Sequence, residues 1–301
     1  MIPAFNCANY LRKTLESVLA QDPGPEQMQI EVVDDCSFSD DPEAVVREIG
    51  KGRVQFYRKS RNEGVVANFN TCLQRSRGEL IHILHGDDCV LPGFYREIHS
   101  LSLDHPNLAF FATRHFTINE SDVISEVSQR VPSLEAGGTD ARAFHYFTAT
   151  QFCSTVIRRS FYEAQGGFMP ELVHTADCEM WTRAIALQGG IVSTQVLSCY
   201  RNFEANDTGR LMRSAENIRD LERLHSVLAK RFEGFSLEKG RLRSANLAWS
   251  QAEFFEQRGE AEAAEANYAV WRELATTKAR KRAARRRFTR QLKRTLKSVF
   301  R

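Results

Sequence analysis

The sequence has no hydrophobic run long enough to cross a membrane and no paired-cysteine motif. A spanning helix needs about 20 apolar residues, so we predict no membrane-spanning helix. We also predict no signal peptide, because the first residues lack its pattern. The seven cysteines are an odd number, and none forms a C-x-x-C pair. Scattered thiols are typical of a cytosolic protein in which most cysteines are small buried hydrophobes. The composition therefore argues against a zinc site and a disulfide framework.

The net charge of +3 conceals an uneven distribution. Residues 278–301 contain no acid and hold 12 of the 41 Lys and Arg residues. Residues 1–277 therefore contain 29 basic and 38 acidic residues, a formal net charge of −9. Apolar residues recur in this tail at helical spacing: Phe288, Leu292, Leu296, Val299 and Phe300. We predict a basic amphipathic helix on an anionic membrane surface. Non-specific nucleic-acid binding and a solvated tail are the less favoured interpretations.

Two short apolar runs each end in a pair of carboxylates. Residues 30–33 precede Asp34–Asp35, and residues 80–86 precede Asp87–Asp88. Such runs predict buried strands, and ligand crevices in α/β sheets lie at the carboxyl ends of strands. Adjacent carboxylates resist burial unless a cation, donors or water compensate them, and a hard divalent metal is one solution. The alternative is a solvated turn whose acids cap the next helix.

The order of elements around these pairs predicts an α/β fold with a largely parallel central sheet. Helices are predicted at about 8–21 and 66–76, with strands at 30–33 and 54–57 and a basic, glycine-containing turn at 61–64. The first helix carries an apolar stripe of Leu11, Leu15, Val18 and Leu19.

Five blocks together resemble glycosyltransferase family 2 with its GT-A nucleotide-sugar-binding fold. They are PAFNCANYLRKTLESVLAQ, VVDDCSFSDD, RNEGVVANFN, HGDDCVLPG and GGFMPELVHTADCEMWTR. The resemblance extends from about Ile2 to Tyr200, and its weight comes from the order and spacing of the blocks.

The resemblance implies a nucleotide-sugar site built from the first four blocks. Asp34 and Asp35 match acids that contact the nucleotide base, and a carboxylate can accept a base N–H. Arg61 would offer charge in the turn, and the glycine there would allow close backbone approach. The remaining expected contacts are Pro3, Ala4, Asn62, Gly64, Asn68 and Asp87.

The resemblance also implies a divalent cation, Mn²⁺ or Mg²⁺, at Asp87 and Asp88. The ion would bridge the two phosphates and neutralise the leaving nucleoside diphosphate. We favour Asp88 as the direct ligand and Asp87 as a ribose or outer contact, with the reverse assignment left open. Relatives usually carry an acid two residues before Asp87, and His85 stands there, so one oxygen ligand or water anchor is lost.

The expected catalytic base is Asp177, placed immediately before a helix that begins near Glu179. A carboxylate there can take the proton from an acceptor hydroxyl as it attacks the anomeric carbon. Relatives often carry Glu at the preceding position, where this chain has Ala176. Glu179 is the alternative base, and helix capping is the alternative role of Asp177.

Further departures concern both ends of the resembling region. Phe203 stands where relatives often have histidine, and we expect Arg201 still to be able to approach the phosphates. Only Met1 and Ile2 precede the Pro3 block, so either translation starts upstream or the first strand is abbreviated. The chain lacks the Gln-x-x-Arg-Trp signature and membrane helices of processive relatives. The resemblance therefore implies a single sugar transfer per binding event.

We expect three regions: a GT-A domain at 1–205, a helical extension at 206–277 and the basic tail. Residues 242–258 and 260–274 predict two helices around Gly259. Five residues fall at tetratricopeptide packing positions: Ala252, Phe255, Gly259, Ala264 and Tyr268. One such unit cannot bury its own face, so we predict a helical hairpin packed on the catalytic domain.

The resulting functional hypothesis is a metal-dependent, inverting, non-processive glycosyltransferase. Its partners would be a nucleoside-diphosphate sugar donor and a glycan or lipid-linked acceptor, and its location cytoplasmic and peripheral at the inner face of the cell membrane. The alternative is a catalytically impaired relative that acts as a nucleotide-binding or scaffold protein at the membrane. The sugar, the nucleotide and the acceptor stay open, because variable loops such as 115–144 select them.

Overall fold

The computed structural model describes residues 1–146, 148–203, 207–277 and 280. The chain divides into two compact units, Met1–Asn206 and Asp207–Arg301. The basic tail predicted at 278–301 lies outside the described residues except for Arg280. Within the described ranges, no helix combines the length and apolar content that a membrane crossing requires.

The first unit alternates strands and helices along its described residues. The strands are β1 (Ile2–Ala4), β2 (Glu31–Asp34), β3 (Gln55–Arg58), β4 (Leu80–His82), β5 (Cys89–Val90), β6 (Phe110–Ile118), β7 (Ile124–Val127), β8 (Thr155–Arg158) and β9 (Gly190–Arg201). The helices are α1 (Ala8–Leu19), α2 (Pro42–Gly50), α3 (Val65–Arg75), α4 (Phe94–Asp104), α5 (Arg159–Gln165) and α6 (Ala176–Gln188). The helices and strands predicted from the first 76 residues agree with α1, α3, β2 and β3 to within two residues at each end.

The strands form two sheets of different character. β1, β2 and β3 form a parallel sheet, as the sequence predicted. The second sheet has the order β4-β8-β6-β9-β5, with β7 paired to β6, and only its β6–β9 pair is parallel. The expectation of parallel strands fails there because a hairpin and three short 3₁₀ helices separate β6 from β8. Parallel neighbours need a crossover, usually an α-helix, which this stretch does not supply.

Backbone hydrogen bonds connect the two sheets beside β1. The N–H of Leu84 donates to the Met1 carbonyl at 3.0 Å, and the N–H of Gly86 donates to the Pro3 carbonyl at 3.3 Å. β1 therefore lies between β2 and residues 84–86. This arrangement brings the ends of both acid-terminated runs to the same edge.

The core of the first unit forms where α1 covers the parallel sheet. Leu11, Leu15 and Val18 are buried against strand residues such as Val32, which confirms the predicted stripe, while Leu19 is half-buried. The stripe holds α1 in place above the edge where the carboxylates lie.

Of the seven cysteines, five are buried and two half-buried, and all are free thiols.

The second unit is helical throughout its described elements: α7 (Asp207–Arg213), α8 (Glu216–Arg231), α9 (Leu237–Gln257) and α10 (Ala261–Leu274). α9 begins five residues earlier than predicted, because Ser236 caps it by accepting from the N–H of Lys239 at 3.2 Å. Four of the five tetratricopeptide-like positions, Ala252, Phe255, Ala264 and Tyr268, form a buried cluster with Ala263. Gly259 is exposed and lies outside the cluster.

Candidate active site

The carboxyl ends of β1 and β2 lie side by side. The N–H of Asp35 donates to the Ala4 carbonyl at 2.9 Å, one residue beyond the Pro3 carbonyl that receives Gly86. Pro3 and Ala4 are buried in β1. The backbone therefore brings the expected donor-site residues of the first, second and fourth blocks together.

Asp34 is buried and accepts hydrogen bonds from protein groups. Nε of Arg58 donates to its Oδ2 at 2.6 Å, and the Ser37 N–H donates to Oδ1 at 3.2 Å. The β2–β3 register places Arg58 directly opposite Asp34. This pairing fixes the carboxylate at the entrance to the following turn.

Asp35 organises the turn that the sequence identified at 61–64. Its carboxylate accepts from the N–H of Glu63 at 3.1 Å and of Gly64 at 2.9 Å, and Lys59 pairs with it at 2.8 Å. Gly64 has φ +90°, a conformation that favours glycine. The turn is thus held by a buried ion pair and two backbone donors.

The other expected residues of this block differ in exposure. The Arg61 side chain is 79% exposed, so its cation faces solvent beside the turn. Nδ2 of Asn62 donates to the Asp35 carbonyl at 3.2 Å, and Nδ2 of the buried Asn68 donates to the Val33 carbonyl at 3.0 Å. Asn68 therefore braces β2 from α3, and Arg61 is the exposed cation of the turn.

A helix side chain holds the turn that carries the second acidic pair. The buried Thr14 hydroxyl of α1 lies 3.0 Å from the carbonyl of Gly86 and 2.7 Å from that of Asp88. The N–H of Asp88 closes the turn on the His85 carbonyl at 3.1 Å. A Cβ at Gly86 would lie 2.6 Å from the Cys7 sulfur, so only glycine fits without movement.

His85, Asp87 and Asp88 form a cluster of candidate metal ligands. One ring nitrogen and one oxygen from each carboxylate all lie within 4.8 Å of one another. Asp88 is 2% exposed, and its Oδ2 has no hydrogen-bond partner among the described residues. A buried carboxylate oxygen without a donor is costly. The donor set and this unsatisfied oxygen therefore fit a divalent cation.

Burial shapes the electrostatics of the cluster. Desolvation, and then the neighbouring charge of Asp87, raise the pKa of Asp88 well above its usual range. Burial also lowers the pKa of His85 to about 4, so its imidazole is neutral near pH 7. A cation would relieve the unfavourable burial of the Asp88 charge, and a neutral imidazole leaves His85 free of competing charge.

Arg201 supports the acidic turn instead of facing a ligand. Its backbone N–H donates to Oδ1 of Asp88 at 2.7 Å, and its Nε donates to the Asp87 carbonyl at 2.8 Å. The guanidinium also pairs with Asp122 at 2.7 Å and is 2% exposed. The donors of Arg201 are engaged inside the protein, so this structure gives no support to an approach of Arg201 to the phosphates. Phe203 packs against Tyr10, with ring centroids 5.5 Å apart.

Asp177 lies in the first turn of α6, which begins at Ala176 and not near Glu179. The Thr148 hydroxyl donates to its Oδ2 at 3.2 Å, and the N–H of Cys178 donates to Oδ1 at 2.7 Å. The predicted boundary is late by three residues, because the first turn already carries the acids that favour a helix N-terminus. Asp177 is half-buried, which leaves part of it accessible.

Glu179, the alternative base, is enclosed in the protein. Its carboxylate pairs with Arg183 at 2.9 Å, and the two side chains are 0% and 3% exposed. Arg183 in turn donates to the carbonyls of Gln165 and Gly167. This ion pair anchors α6, so the geometry favours Asp177 over Glu179 as the group that can meet a substrate.

Two neighbours of the carboxylates were not identified from the sequence. Thr148, which donates to Asp177, lies in a loop without any recognisable motif. Burial, and then the charges of Asp88 and Asp87, with a smaller effect of Asp177, raise the pKa of the Tyr200 phenol. Tyr200 is therefore within electrostatic range of both acidic groups. Its signal in the sequence was the Tyr-Arg pair at the end of β9.

The sequence model of the family described as "Glycosyl transferase family 2" matches residues 1–164, more than half of the chain. The chain belongs to this family. Membership makes the protein a glycosyltransferase, as the sequence predicted.

One curated relative and two solved structures are similar to this chain. This chain is 28% identical over 239 residues to "Uncharacterized protein MT1568" of Mycobacterium tuberculosis. The aligned region covers 74% of this chain and 72% of that protein. It resembles S. aureus TarS 1-349 in complex with UDP-GlcNAc, with a TM-score of 0.56 and 17% identity over 91% of this chain and 88% of TarS 1-349.

A second solved structure supports the fold. Mannosyltransferase PcManGT from Pyrobaculum calidifontis, in complex with GDP-Man and Mn²⁺, gives a TM-score of 0.55 and 17% identity over 94% of this chain and 77% of that chain. At such low identities the two structural similarities show the fold. The predicted α/β fold of the GT-A type, with a helical C-terminal region, is thereby confirmed.

Proposed function

We propose that this glycosyltransferase is metal-dependent, inverting and non-processive. It transfers one sugar from a nucleoside-diphosphate sugar to a hydroxyl of a glycan or lipid-linked acceptor. The observation that carries the proposal is the unpartnered, buried Oδ2 of Asp88 within the cluster of candidate ligands. TarS and PcManGT, which were solved with UDP-GlcNAc and with GDP-Man and Mn²⁺, support a nucleotide-sugar donor.

The ion would be held by Asp88, with Asp87 beside it. Mn²⁺ or Mg²⁺ at this position supplies Lewis-acid neutralisation of the diphosphate. Thr14 and the Arg201 backbone keep the carboxylates in place before any ligand arrives. Pre-ordered charge of this kind avoids reorganisation during the reaction.

The donor nucleotide would lie against the ends of β1 and β2 and the turn at 61–64. Arg61 supplies an exposed cation for the diphosphate, and Gly64 permits close backbone approach. Asp34 is the proposed base contact, held by its pair with Arg58, and Asp35 would support the nucleotide by holding the turn through its pair with Lys59. Pro3, Ala4, Asn62 and Asn68 would complete the proposed donor site.

Asp177 would act as general base in a single displacement. The acceptor oxygen attacks the anomeric carbon while the bond from that carbon to the diphosphate oxygen breaks. The hydroxyl proton passes to Asp177, and the bonding electrons leave with the nucleoside diphosphate. Attack opposite the leaving group inverts the anomeric centre. Thr148 and the Cys178 N–H orient the carboxylate for this transfer.

The proposed location is the inner face of the cell membrane. The support is the composition of residues 278–301, whose basic and apolar residues suit an anionic lipid surface. A membrane-associated enzyme would meet a lipid-linked or growing surface glycan as its acceptor.

A donor screen tests the proposal. The full chain is incubated with UDP-, GDP- and CDP-sugars and mixed glycan acceptors, with Mn²⁺, Mg²⁺ or EDTA, and released nucleoside diphosphate is measured. Metal-dependent release that requires an acceptor is expected for at least one donor. Tight nucleotide binding without any release would favour the impaired relative.

A further inference from the structure

His85 occupies the place of the acid that relatives usually carry. The resemblance alone suggested that this replacement removes a ligand. The structure instead keeps a ring nitrogen of His85 within 4.8 Å of oxygens from both Asp87 and Asp88. An imidazole nitrogen is itself a metal ligand. The replacement therefore changes the chemistry of the donor set without emptying it.

Two aromatic rings fix the His85 imidazole. Phe69 of α3 stacks on it with centroids 5.2 Å apart and planes 16° apart, and Phe152 lies 4.6 Å away on centroids. Nε2 of His85 is buried and has no hydrogen-bond partner among the described residues. A core histidine normally satisfies its ring nitrogens. A clamped ring with an unsatisfied nitrogen beside two carboxylates is arranged as a ligand would be.

Asp88 supplies an independent observation at the same place. It is 2% exposed, and while Oδ1 accepts from the Arg201 backbone, Oδ2 accepts from no described group. Two residues of the cluster thus each carry an unsatisfied atom, Nε2 of His85 and Oδ2 of Asp88. A divalent ion bound by both would compensate the two together.

We propose that His85 is a nitrogen ligand of the catalytic divalent ion, and that it makes the site select Mn²⁺ over Mg²⁺. This inference rests on the metal dependence proposed above. Imidazole suits first-row transition metals, whereas Mg²⁺ prefers an all-oxygen set and near-ideal octahedral geometry. A site with one nitrogen and carboxylate oxygens therefore discriminates between the two ions.

Pulsed electron paramagnetic resonance tests the ligand directly. The full chain is loaded with Mn²⁺ and either UDP or GDP, once unlabelled and once with ¹⁵N-histidine. We expect modulation from a directly bound nitrogen, changed by the ¹⁵N label and absent in His85→Phe. The phenylalanine ring preserves the stacking while removing the donor nitrogen.

His82, the last residue of β4, provides a matched control. His82 is buried beside Phe94, with ring centroids 4.8 Å apart, and lies outside the ligand cluster. His82→Phe should keep the histidine modulation. The metal selectivity is measured in parallel: His85→Phe should weaken Mn²⁺ binding by about tenfold or more, and His85→Asp should bring the Mn²⁺ and Mg²⁺ affinities closer together.

Mn²⁺ bound with nucleotide but without histidine modulation would overturn the inference and leave the proposed metal dependence standing. Wild-type protein that binds no Mn²⁺ with either nucleotide would overturn both. An unchanged preference for Mn²⁺ in His85→Asp, verified as folded by circular dichroism, would contradict the selectivity.

Discussion

The backbone N–H of Arg201 donates a hydrogen bond of 2.7 Å to Oδ1 of Asp88, a residue 113 positions away in the chain. One carboxylate oxygen is thus fixed by β9, while Oδ2 lies buried without a partner among the described residues. Fixing one oxygen aims the other, and desolvation keeps that oxygen unfavourable until a cation binds. This hydrogen bond joins the end of β9 to the expected metal site.

Asp177→Asn should retain nucleotide binding and lose most sugar transfer. The amide keeps the shape but cannot accept the acceptor proton, and loss of a general base costs about 10²–10⁴ in rate. Transfer rates and nucleotide affinity are measured on the same preparation. Activity within about threefold of the parent would exclude Asp177 as a base of typical contribution.

Glu179→Gln is the matched control for that substitution, because both acids lie in the first turn of α6. It breaks the buried pair with Arg183, and breaking such a pair costs about 3–5 kcal/mol of stability. We expect a lower melting temperature with near-normal transfer by the folded fraction. A stable Glu179→Gln protein without transfer would move the base to Glu179.

Asp35→Asn should weaken UDP and GDP binding by similar factors. The substitution removes the charge that pairs with Lys59 and weakens acceptance from the Gly64 N–H, so the whole turn loses its support. Gly64→Ala provides a second disturbance of the same turn. Its Cβ would meet nothing within 4 Å, and the positive φ alone should cost about 1–3 kcal/mol.

Titration calorimetry with both nucleotides compares these variants. A uniform loss in both variants indicates that Asp35 acts by holding the turn. A loss restricted to one base in Asp35→Asn, with no such restriction in Gly64→Ala, would instead indicate a direct contact with the base.

Acid should destabilise the protein partly through His82. Burial lowers the pKa of His82 to about 3 in the folded state. Below pH 6.5 this imidazole is therefore protonated in the unfolded chain and neutral in the folded chain. This stability is complete above pH 6.5 and declines as pH falls towards 3. Between pH 7 and pH 5 the decline should be about 2 kcal/mol.

Urea unfolding of wild-type and His82→Gln at both pH values, without metal, measures the effect of that histidine. His82→Gln should lose less stability than wild-type on acidification, by about the same 2 kcal/mol. Equal losses in the two proteins would show that His82 does not carry this pH dependence.

Removing residues 278–301 should release the protein from anionic vesicles without a large change in melting temperature. Each cation near an anionic surface contributes about 1 kcal/mol at most, and the apolar stripe adds burial that salt does not screen. Sedimentation with anionic and neutral vesicles is the measurement. Equal binding of the full chain to both vesicles, or to neither, would refute the membrane proposal.

The sequence predicted the first sheet and the acidic clusters because their signals are local. Runs of apolar residues ending at Asp34 and Asp87 identify both a strand and the group at its end. The mixed second sheet escaped prediction because its pairing joins distant segments. β6, for example, pairs with both β8 and β9. β7 and three 3₁₀ helices lie between it and β8, and β8, α5 and α6 also lie between it and β9.

The partners of the site residues could not be read from the chain either. Thr14 and Arg201 both form hydrogen bonds to Asp88. Each is more than 70 residues from Asp88 in the chain. The resemblance favoured Asp177 over Glu179 as the base, but the sequence could not show that Glu179 is buried in a pair with Arg183. His85 looked like a lost ligand because sequence position does not reveal how close a ring nitrogen lies to a carboxylate.

The most direct test of metal-dependent donor binding is calorimetric titration of UDP and GDP into wild-type protein and Asp88→Ala, with and without Mn²⁺. We predict that wild-type protein binds at least one nucleotide much more tightly with Mn²⁺ than without it. Asp88→Ala should lose this dependence while its circular dichroism stays that of the parent. Unchanged, Mn²⁺-dependent affinity in folded Asp88→Ala would contradict the account.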